Sequence, residues 1–201
     1  MDQTNPLLGD SEDVSLSKMS MVDLLLKLDS TTDGLSIEQL KKKKEARGDE
    51  DNATIPKPTD IPELMCCLLS CFDTSHEMQE YKRCIPQTAV VKRAGREWMH
   101  MEVSGLLVGD LVKVHDGYSV PADVRIIRSV GLCTLDPSDI IDARTYTVNE
   151  NEAGDIYQCS PNMAFAGYRC ESGDLIGIVV ATGLNTLVGR MIKKGVWPPR
   201  V

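Results

Sequence analysis

The chain has 201 residues, and 30 acidic against 22 basic residues give it a formal net charge of −8. This acidic balance argues against a nucleic-acid-binding protein, because contacts with phosphates require a basic face. Hydrophobic residues make up 42% and charged residues 26%, as in ordinary globular proteins. A chain of this length can bury one main core and carry a smaller appendage.

Nothing in the sequence predicts export or a membrane span. The N-terminus is acidic and lacks the apolar core of a signal peptide. The longest apolar run, Leu64 to Phe72, is far shorter than the roughly 18–20 residues that cross a bilayer. We therefore expect the seven cysteines to be free thiols in a reducing compartment, and we expect the protein to lie in the cytoplasm.

The N-terminal region is predicted to hold a tail followed by a helical hairpin. Residues 1–18 are polar, acidic and aperiodic, which is typical of a flexible tail. Residues 19–48 have the pattern of two short amphipathic helices. In the first helix Ser20 is the expected N-cap, and Leu24 and Leu28 fall on one face.

The second helix of the hairpin has the spacing of a capping box. Ser36 and Gln39 stand three positions apart, so that each side chain can bond the backbone N–H of the other. Ile37 and Leu40 supply a narrow apolar stripe. The basic run from Lys41 to Lys44 indicates a solvated helix face, with an anionic membrane surface as the alternative interpretation.

Residues 49–84 are predicted to be a proline-containing linker followed by a short helix. Cys66, Cys67 and Cys71 lie in an apolar patch of this segment. They are candidate palmitoylation sites, which would place the protein at a membrane surface. Burial as small hydrophobic side chains is the interpretation that we favour.

Residues 85–195 are predicted to form a β domain, because the hydrophobic pattern changes to period two. The first two strands form a hairpin around Ala94-Gly95, and the last two are separated at Ser172-Gly173-Asp174. Short strands at this spacing are typical of a sandwich or a distorted jelly roll. In the tail, residues 196–201, Trp197 is a candidate partner contact; packing back on the domain is the alternative.

Four motifs of the β domain resemble the actuator domain of P-type ATPases, in order and in spacing. They are Val108–Val114 (VGDLVKV), Val120–Ile127 (VPADVRII), Leu135-Asp136 and Gly177–Met191 (GIVVATGLNTLVGRM). The opening hairpin and the preceding helices are most similar to the sodium/potassium-transporting ATPase alpha subunits. The resemblance implies a mostly β, distorted jelly-roll-like actuator domain preceded by helices.

The resemblance also implies where a catalytic loop would stand. In that family a Thr-Gly-Glu-Ser loop swings to an aspartyl phosphate, and its glutamate helps water to remove the phosphate. Aligned on Leu135-Asp136 upstream and on Asn162 to Gly167 downstream, the four positions hold Ile141, Asp142, Ala143 and Arg144, so the loop is degenerate. We expect its start at Asp136 to be a short helix, since an N-cap is followed by a proline.

These observations predict a protein that is not an enzyme and needs no cofactor or metal. The chain contains no Asp-Lys-Thr-Gly-Thr phosphorylation motif, and the stretch between Phe72 and Tyr81 is far too short to hold the family's first two membrane helices. The leading hypothesis is a pseudo-actuator that binds proteins as a structural part of a larger assembly, such as a cytoskeletal or ciliary one. The alternatives are a regulator that docks on a full-length P-type ATPase and a phosphatase that acts in trans.

Overall fold

The computed structural model of the chain describes residues 11–47, 53–58 and 76–197. The helices in these ranges are α1 (Ser11–Lys18), α2 (Met21–Lys27), α3 (Ile37–Arg47), α4 (His76–Cys84) and α5 (Leu187–Lys193). Short 3₁₀ helices cover Val103–Gly105, Tyr157–Cys159 and Gly183–Asn185. None of the helices in the described ranges is long and apolar enough to cross a membrane.

The strands of the described ranges form one antiparallel sheet. They are β1 (Thr88–Lys92), β2 (Met99–Glu102), β3 (Leu111–Val114), β4 (Asp123–Asp136), β5 (Tyr146–Thr147), β6 (Met163–Ala164) and β7 (Arg169–Ala181). Their order is β2-β1-β3-β7-β4-β5, and β6 pairs with β4. The fold is therefore mostly β with an N-terminal helical region, a distorted jelly-roll-like domain as the sequence predicts.

The long strands β4 and β7 are the irregular centre of the sheet. Their pairing shifts register at four points along β4, between Asp123 and Leu135. A bulge leaves a residue unpaired, bends the strand that carries it and increases the local twist. The register shifts therefore bend and twist β4 where it pairs with β7.

The predicted hairpin at Ala94-Gly95 is confirmed. β1 pairs with β2 from Thr88 opposite Glu102 to Val91 opposite Met99. Ala94 and Gly95 have φ values of +53° and +64°, and the amide of Arg96 donates to the carbonyl oxygen of Arg93. Two consecutive positive φ values define the type I′ turn that fits the twist of a two-stranded hairpin.

The predicted separation of the last two strands at Ser172-Gly173-Asp174 is wrong, because β7 runs unbroken through these residues. Gly173 lies opposite a bulge in β4, where the three residues 131–133 oppose this one residue. A Cβ at Gly173 would lie 2.9 Å from the carbonyl oxygen of Leu132. The glycine, with φ of +70°, therefore marks a close approach of two backbones and not a turn.

The predicted flexible tail at residues 1–18 is also wrong for its second half, which forms α1. Leu16 and Ser17 at its C-terminal end are buried. The side-chain amide of Asn162 donates to the carbonyl oxygen of Ser17 over 2.8 Å. The helix thus docks beside the 3₁₀ helix at Tyr157–Cys159, a surface that is contributed by a distant part of the chain.

Helices α2 and α3 have the predicted caps, but α3 does not use its predicted stripe. Ser20 accepts from the amide of Asp23, and the capping box of Ser36 and Gln39 has both of its hydrogen bonds. Leu24 of α2 is buried. In α3, by contrast, no residue is buried and Ile37 is 65% exposed. Polar contacts hold α3 in place, including the guanidinium of Arg47 on the carbonyl oxygens of Ser104 and Leu106.

A buried carboxylate connects the sheet to α5. Asp123 is 2% exposed at the start of β4. One of its oxygens accepts from the amide of Ala166 over 2.9 Å, and the other accepts from the amide of Leu187 over 2.7 Å. Because Leu187 is the first residue of α5, this acceptor satisfies a helix N-terminus that would otherwise be unpaired.

Candidate functional site

The degenerate loop begins where β4 ends, at Asp136. One carboxylate oxygen of Asp136 accepts from the amide of Ser138 over 2.9 Å, and the other accepts from the Ser138 hydroxyl. The amides of Ile140 and Ile141 both donate to the carbonyl oxygen of Pro137 over 2.9 Å. Asp136 thus acts as a cap, but the predicted short helix is wrong, because the chain makes one hydrogen-bonded turn and then leaves it.

Two apolar side chains fix the middle of this loop to the core. Ile140 is fully buried, and Ile141 is 6% exposed. Gly167 faces Ile140 with φ of +86°, and a Cβ there would lie 2.6 Å from the Cδ1 atom of Ile140. The loop therefore sits in a socket that the absence of a side chain at Gly167 leaves open.

The four positions at which the resemblance places the catalytic residues have unlike surroundings. Ile141 is buried, and Ala143 is half-buried against the core. Asp142 and Arg144 are exposed. The amide of Ala143 donates back to the carbonyl oxygen of Ile141 over 2.9 Å, in a tight γ-type turn. Position 143, at the centre of the loop, therefore presents a methyl group where the chemistry would need a carboxylate.

An arginine that the sequence analysis did not single out contacts the loop from α4. Arg83 donates to a carboxylate oxygen of Asp139 over 2.7 Å and also to Glu80. The hydrogen bond to Glu80, followed by the charge of Asp139, raises the pKa of Arg83 against its partial burial. Positions 83 and 139 are 56 residues apart, so no spacing signal could have indicated this contact.

Glu80, Cys84 and Asp139 have ligand atoms within 4.8 Å of one another. The arrangement is poorly suited to a metal ion, because Arg83 already donates to both carboxylates. Burial and the neighbouring Asp139 carboxylate raise the pKa of Cys84 to about 12, so its sulfur is a protonated thiol at neutral pH. A thiol must lose its proton to become a good metal ligand.

A polar cavity of about 450 Å³ opens beside the start of the loop. Its lining includes Arg83, Asp136, Asp139, Arg169 and Glu171. Acidic and basic side chains both line this cavity, and Arg83 pairs with Asp139. Ser138 also lines the cavity, and its hydroxyl donates to Asp136 over 3.0 Å.

The remaining candidate residues lie elsewhere or in another environment than expected. Cys66, Cys67 and Cys71, the candidate lipidation sites, fall outside the described residues. Trp197, the candidate partner contact, is 4% exposed and packs edge-to-face on Tyr81 with ring centres 6.5 Å apart. The structure therefore agrees with the alternative interpretation, in which Trp197 packs back on the domain. Its large ring is buried by contact with α4.

Comparison with known sequences agrees with the fold. A family model described as the P-type ATPase actuator domain matches residues 83–194. Sodium/potassium-transporting ATPase subunit alpha-3 of Gallus gallus and of Homo sapiens are each 36% identical to the chain over 119 residues. Subunit alpha-2 of Bos taurus is 37% identical over the same length.

The similarity covers unequal shares of the two proteins. It spans 59% of this chain but only 12% of each of these relatives. Among solved structures, a zinc-transporting PIB-type ATPase in the E2.Pi state aligns with 69% of this chain and 21% of its own, at a TM-score of 0.46 and 18% identity. The chain thus spans a small part of the length of the curated relatives that it matches.

Proposed function

Because this chain belongs to the P-type ATPase actuator domain family, we propose that it is a pump-derived pseudo-actuator that binds other proteins and catalyses no reaction. In this proposal it is a cytoplasmic structural part of a larger assembly, such as a cytoskeletal or ciliary one. One observation carries the proposal. The loop packs against the core, but position 143, where the family has its glutamate, holds the methyl group of Ala143.

The neighbouring carboxylates are poor replacements for the glutamate that the family uses. Asp142 stands one position earlier, and consecutive Cα atoms lie about 3.8 Å apart. A misplacement of roughly 1 Å can already lower a rate about 100-fold. Asp139 is bound by Arg83, which would have to release it before it could act as a base. These distances favour a loop that has become structural.

The exposed residues at the tip of the loop support a binding role. Asp142 and Arg144 are exposed on either side of the half-buried Ala143, while Ile140 and Ile141 anchor the segment. A loop held by buried side chains at its base and charged at its tip can contact a partner without losing its own conformation. A loop that is anchored in this way can bind a partner without moving, whereas a catalytic loop must move to reach a phosphate on another domain.

Sequential extraction of cells that express the protein tests the structural role. We expect the protein to stay with cytoskeletal proteins after mild detergent and to leave them only in high salt or chaotrope, and mass spectrometry would identify what is released with it. A resident cytosolic protein and a full-length P-type ATPase are the controls for complete extraction. Release of the protein into the detergent fraction, without any cytoskeletal protein, would contradict the proposal.

Docking on a full-length P-type ATPase is the second candidate function. The family membership favours it, because an actuator domain acts by contact with the other domains of a pump. It predicts co-extraction with a full-length ATPase in mild detergent.

A phosphatase acting in trans is the third candidate. It predicts that the purified chain accelerates dephosphorylation of a trapped pump intermediate and that Asp142→Ala abolishes this effect. We expect no acceleration by either protein, even at stoichiometric excess.

A further inference from the structure

Two thiols touch each other inside the sheet, away from the degenerate loop. Cys133 of β4 and Cys170 of β7 have their Sγ atoms 3.9 Å apart. They are 2% and 0% exposed, and both are free cysteines. The hydrogen bonds that hold the degenerate loop involve neither Cys133 nor Cys170. A role in that loop therefore does not explain why the two thiols are adjacent.

The backbone places the two cysteines on neighbouring strands beside the largest irregularity of the sheet. Leu135 lies opposite Cys170 and Thr134 lies opposite Ser172, so Cys133 and Cys170 are diagonal cross-strand neighbours. The bulge at residues 131–133 includes Cys133 and ends immediately before Thr134. A disulfide requires an S–S distance of about 2.05 Å, so the two sulfurs must approach by roughly 2 Å. A bulge, where the ladder is already interrupted, offers the backbone freedom for that approach.

The surroundings of the pair are more polar than those of an inert core cysteine. The sulfur of Cys170 also lies 3.5 Å from the carbonyl oxygen of Ser172 and 3.4 Å from that of Gly173. The hydrogen bond with Cys170, together with burial, raises the pKa of Cys133. The same hydrogen bond, received from Cys133, lowers the pKa of Cys170. One thiol of the pair must lose its proton before it can attack, because the thiolate is the nucleophilic form of cysteine.

We propose that Cys133 and Cys170 form a redox modification site, a dithiol that a peroxide converts into an intrachain disulfide between β4 and β7. The Cys170 thiol gives up its proton, its sulfur attacks a peroxide oxygen, and the O–O bond breaks. The sulfur becomes a sulfenic acid, and the hydroxide that leaves takes up the released proton as water. The sulfur of Cys133 then attacks the sulfenic sulfur, the S–S bond forms, and the hydroxyl group leaves with the thiol proton as a second water. Two thiols and one hydrogen peroxide thus give one disulfide and two waters.

Oxidant reaches this pair by local opening of the bulge. Val130 and Leu132, on either side of Gly131, are 50% and 72% exposed although both are apolar. Cys133 directly follows Leu132 in the chain and contacts Cys170, so a small opening of residues 131–133 would admit a peroxide molecule to the pair. The bridge would fasten β4 three residues before Asp136, where the degenerate loop begins. Oxidation would therefore add a covalent bond to the backbone pairing that already joins Leu135 and Asp136 to β7.

The test is a peroxide titration of the purified full chain, followed by alkylation in denaturant and peptide mapping. We expect one linked peptide pair, Cys133 with Cys170, with a mass two hydrogens lower than the sum of the reduced peptides. Closing a loop of this length should raise the thermal midpoint by about 5–10 °C, and dithiothreitol should reverse the rise. Cys133→Ser should remove both the linked pair and the rise, whereas Cys84→Ser, in α4, should leave both unchanged.

A measurement on the unmodified chain keeps the proposal testable if Cys133→Ser does not fold. Phenylarsine oxide bridges two neighbouring thiols, so it should protect Cys133 and Cys170 together from later alkylation, as read from the same peptides. The proposal is overturned if both thiols stay reduced while Cys159 oxidises, or if the disulfides that form join other cysteines. Conversion of Cys170 to a sulfinic acid without a linked pair would overturn it as well.

Discussion

The buried ion pair of Arg93 and Asp110 is the residue-scale contact that ties the first hairpin to the turn before β3. The guanidinium Nε lies 2.7 Å from one carboxylate oxygen, and Nη2 contacts the other. Asp110 is fully buried and also accepts from the amide of Leu107 over 2.8 Å. Asp110→Asn keeps the shape but removes the charge, and it leaves Arg93 buried without a counter-ion. We expect it to lower the free energy of unfolding by about 3–5 kcal/mol.

Urea denaturation followed by circular dichroism measures this change, and the neighbouring exposed pair is the control. Lys92 lies 3.2 Å from Asp33, whose side chain is 74% exposed. Asp33→Asn should change the free energy of unfolding by less than about 1 kcal/mol, because water screens an exposed pair. Equal effects of the two substitutions would show that burial does not determine the strength of these contacts.

At the same scale, the identities of the loop residues were predictable, whereas their environments were not. The alignment on Leu135-Asp136 already placed Ala143 where the family has its glutamate. It did not show that Ile141 is buried or that Arg83 binds Asp139, because both facts depend on α4 and on the socket at Gly167. Contacts between residues far apart in the chain leave no periodic signal in one sequence.

At the scale of elements, the turn of the first hairpin is where the sequence fits its backbone least well. Ala94 has φ of +53°, a left-handed conformation that costs a residue with a Cβ roughly 1 kcal/mol. Asparagine adopts this conformation more readily, and Asn-Gly is the preferred pair of a type I′ turn. We therefore expect Ala94→Asn to raise the free energy of unfolding by about 0.5–1 kcal/mol in urea denaturation.

The matched control is Ala153→Asn, at an exposed alanine outside helices and strands and without a positive φ. We expect it to change the free energy of unfolding by less than about 0.5 kcal/mol. If Ala94→Asn stabilises no more than this control, the turn does not store conformational strain at Ala94.

The elements that were predicted correctly are those that local chemistry specifies. The cap at Ser20, the capping box of Ser36 and the turn at Ala94-Gly95 each involve residues within three positions of one another. Helix α1 and the unbroken course of β7 were missed, since both depend on distant partners. Asn162 holds α1, and the backbone at residues 131–133 gives Gly173 its conformation. A glycine with positive φ indicates a turn or a bulge equally well until the opposite strand is known.

At the scale of the whole molecule, two buried tyrosines and one half-buried tyrosine make the fold sensitive to alkaline pH. The hydroxyl groups of Tyr81, Tyr146 and Tyr168 donate to backbone carbonyl oxygens, those of Ile55, Met163 and Gln158 respectively. Burial raises the pKa of all three phenols above its usual range. Ionisation would remove each donor and set a phenolate against a carbonyl oxygen, so the folded state favours the protonated form.

The sign of the pH dependence follows from these raised values. A phenol with a higher pKa in the folded state contributes stability that is complete below the unfolded value of about 10 and is lost as pH rises through the folded value. The Cys84 thiol, with a pKa raised to about 12, acts in the same direction. We therefore expect the urea midpoint to fall steeply above about pH 10, and tyrosinate absorbance at 295 nm to rise together with unfolding.

Tyr146→Phe removes one of the titrating groups and should make the fall of the urea midpoint with pH shallower. Tyrosinate absorbance that rises fully while the circular dichroism stays native would contradict the burial of these three hydroxyl groups.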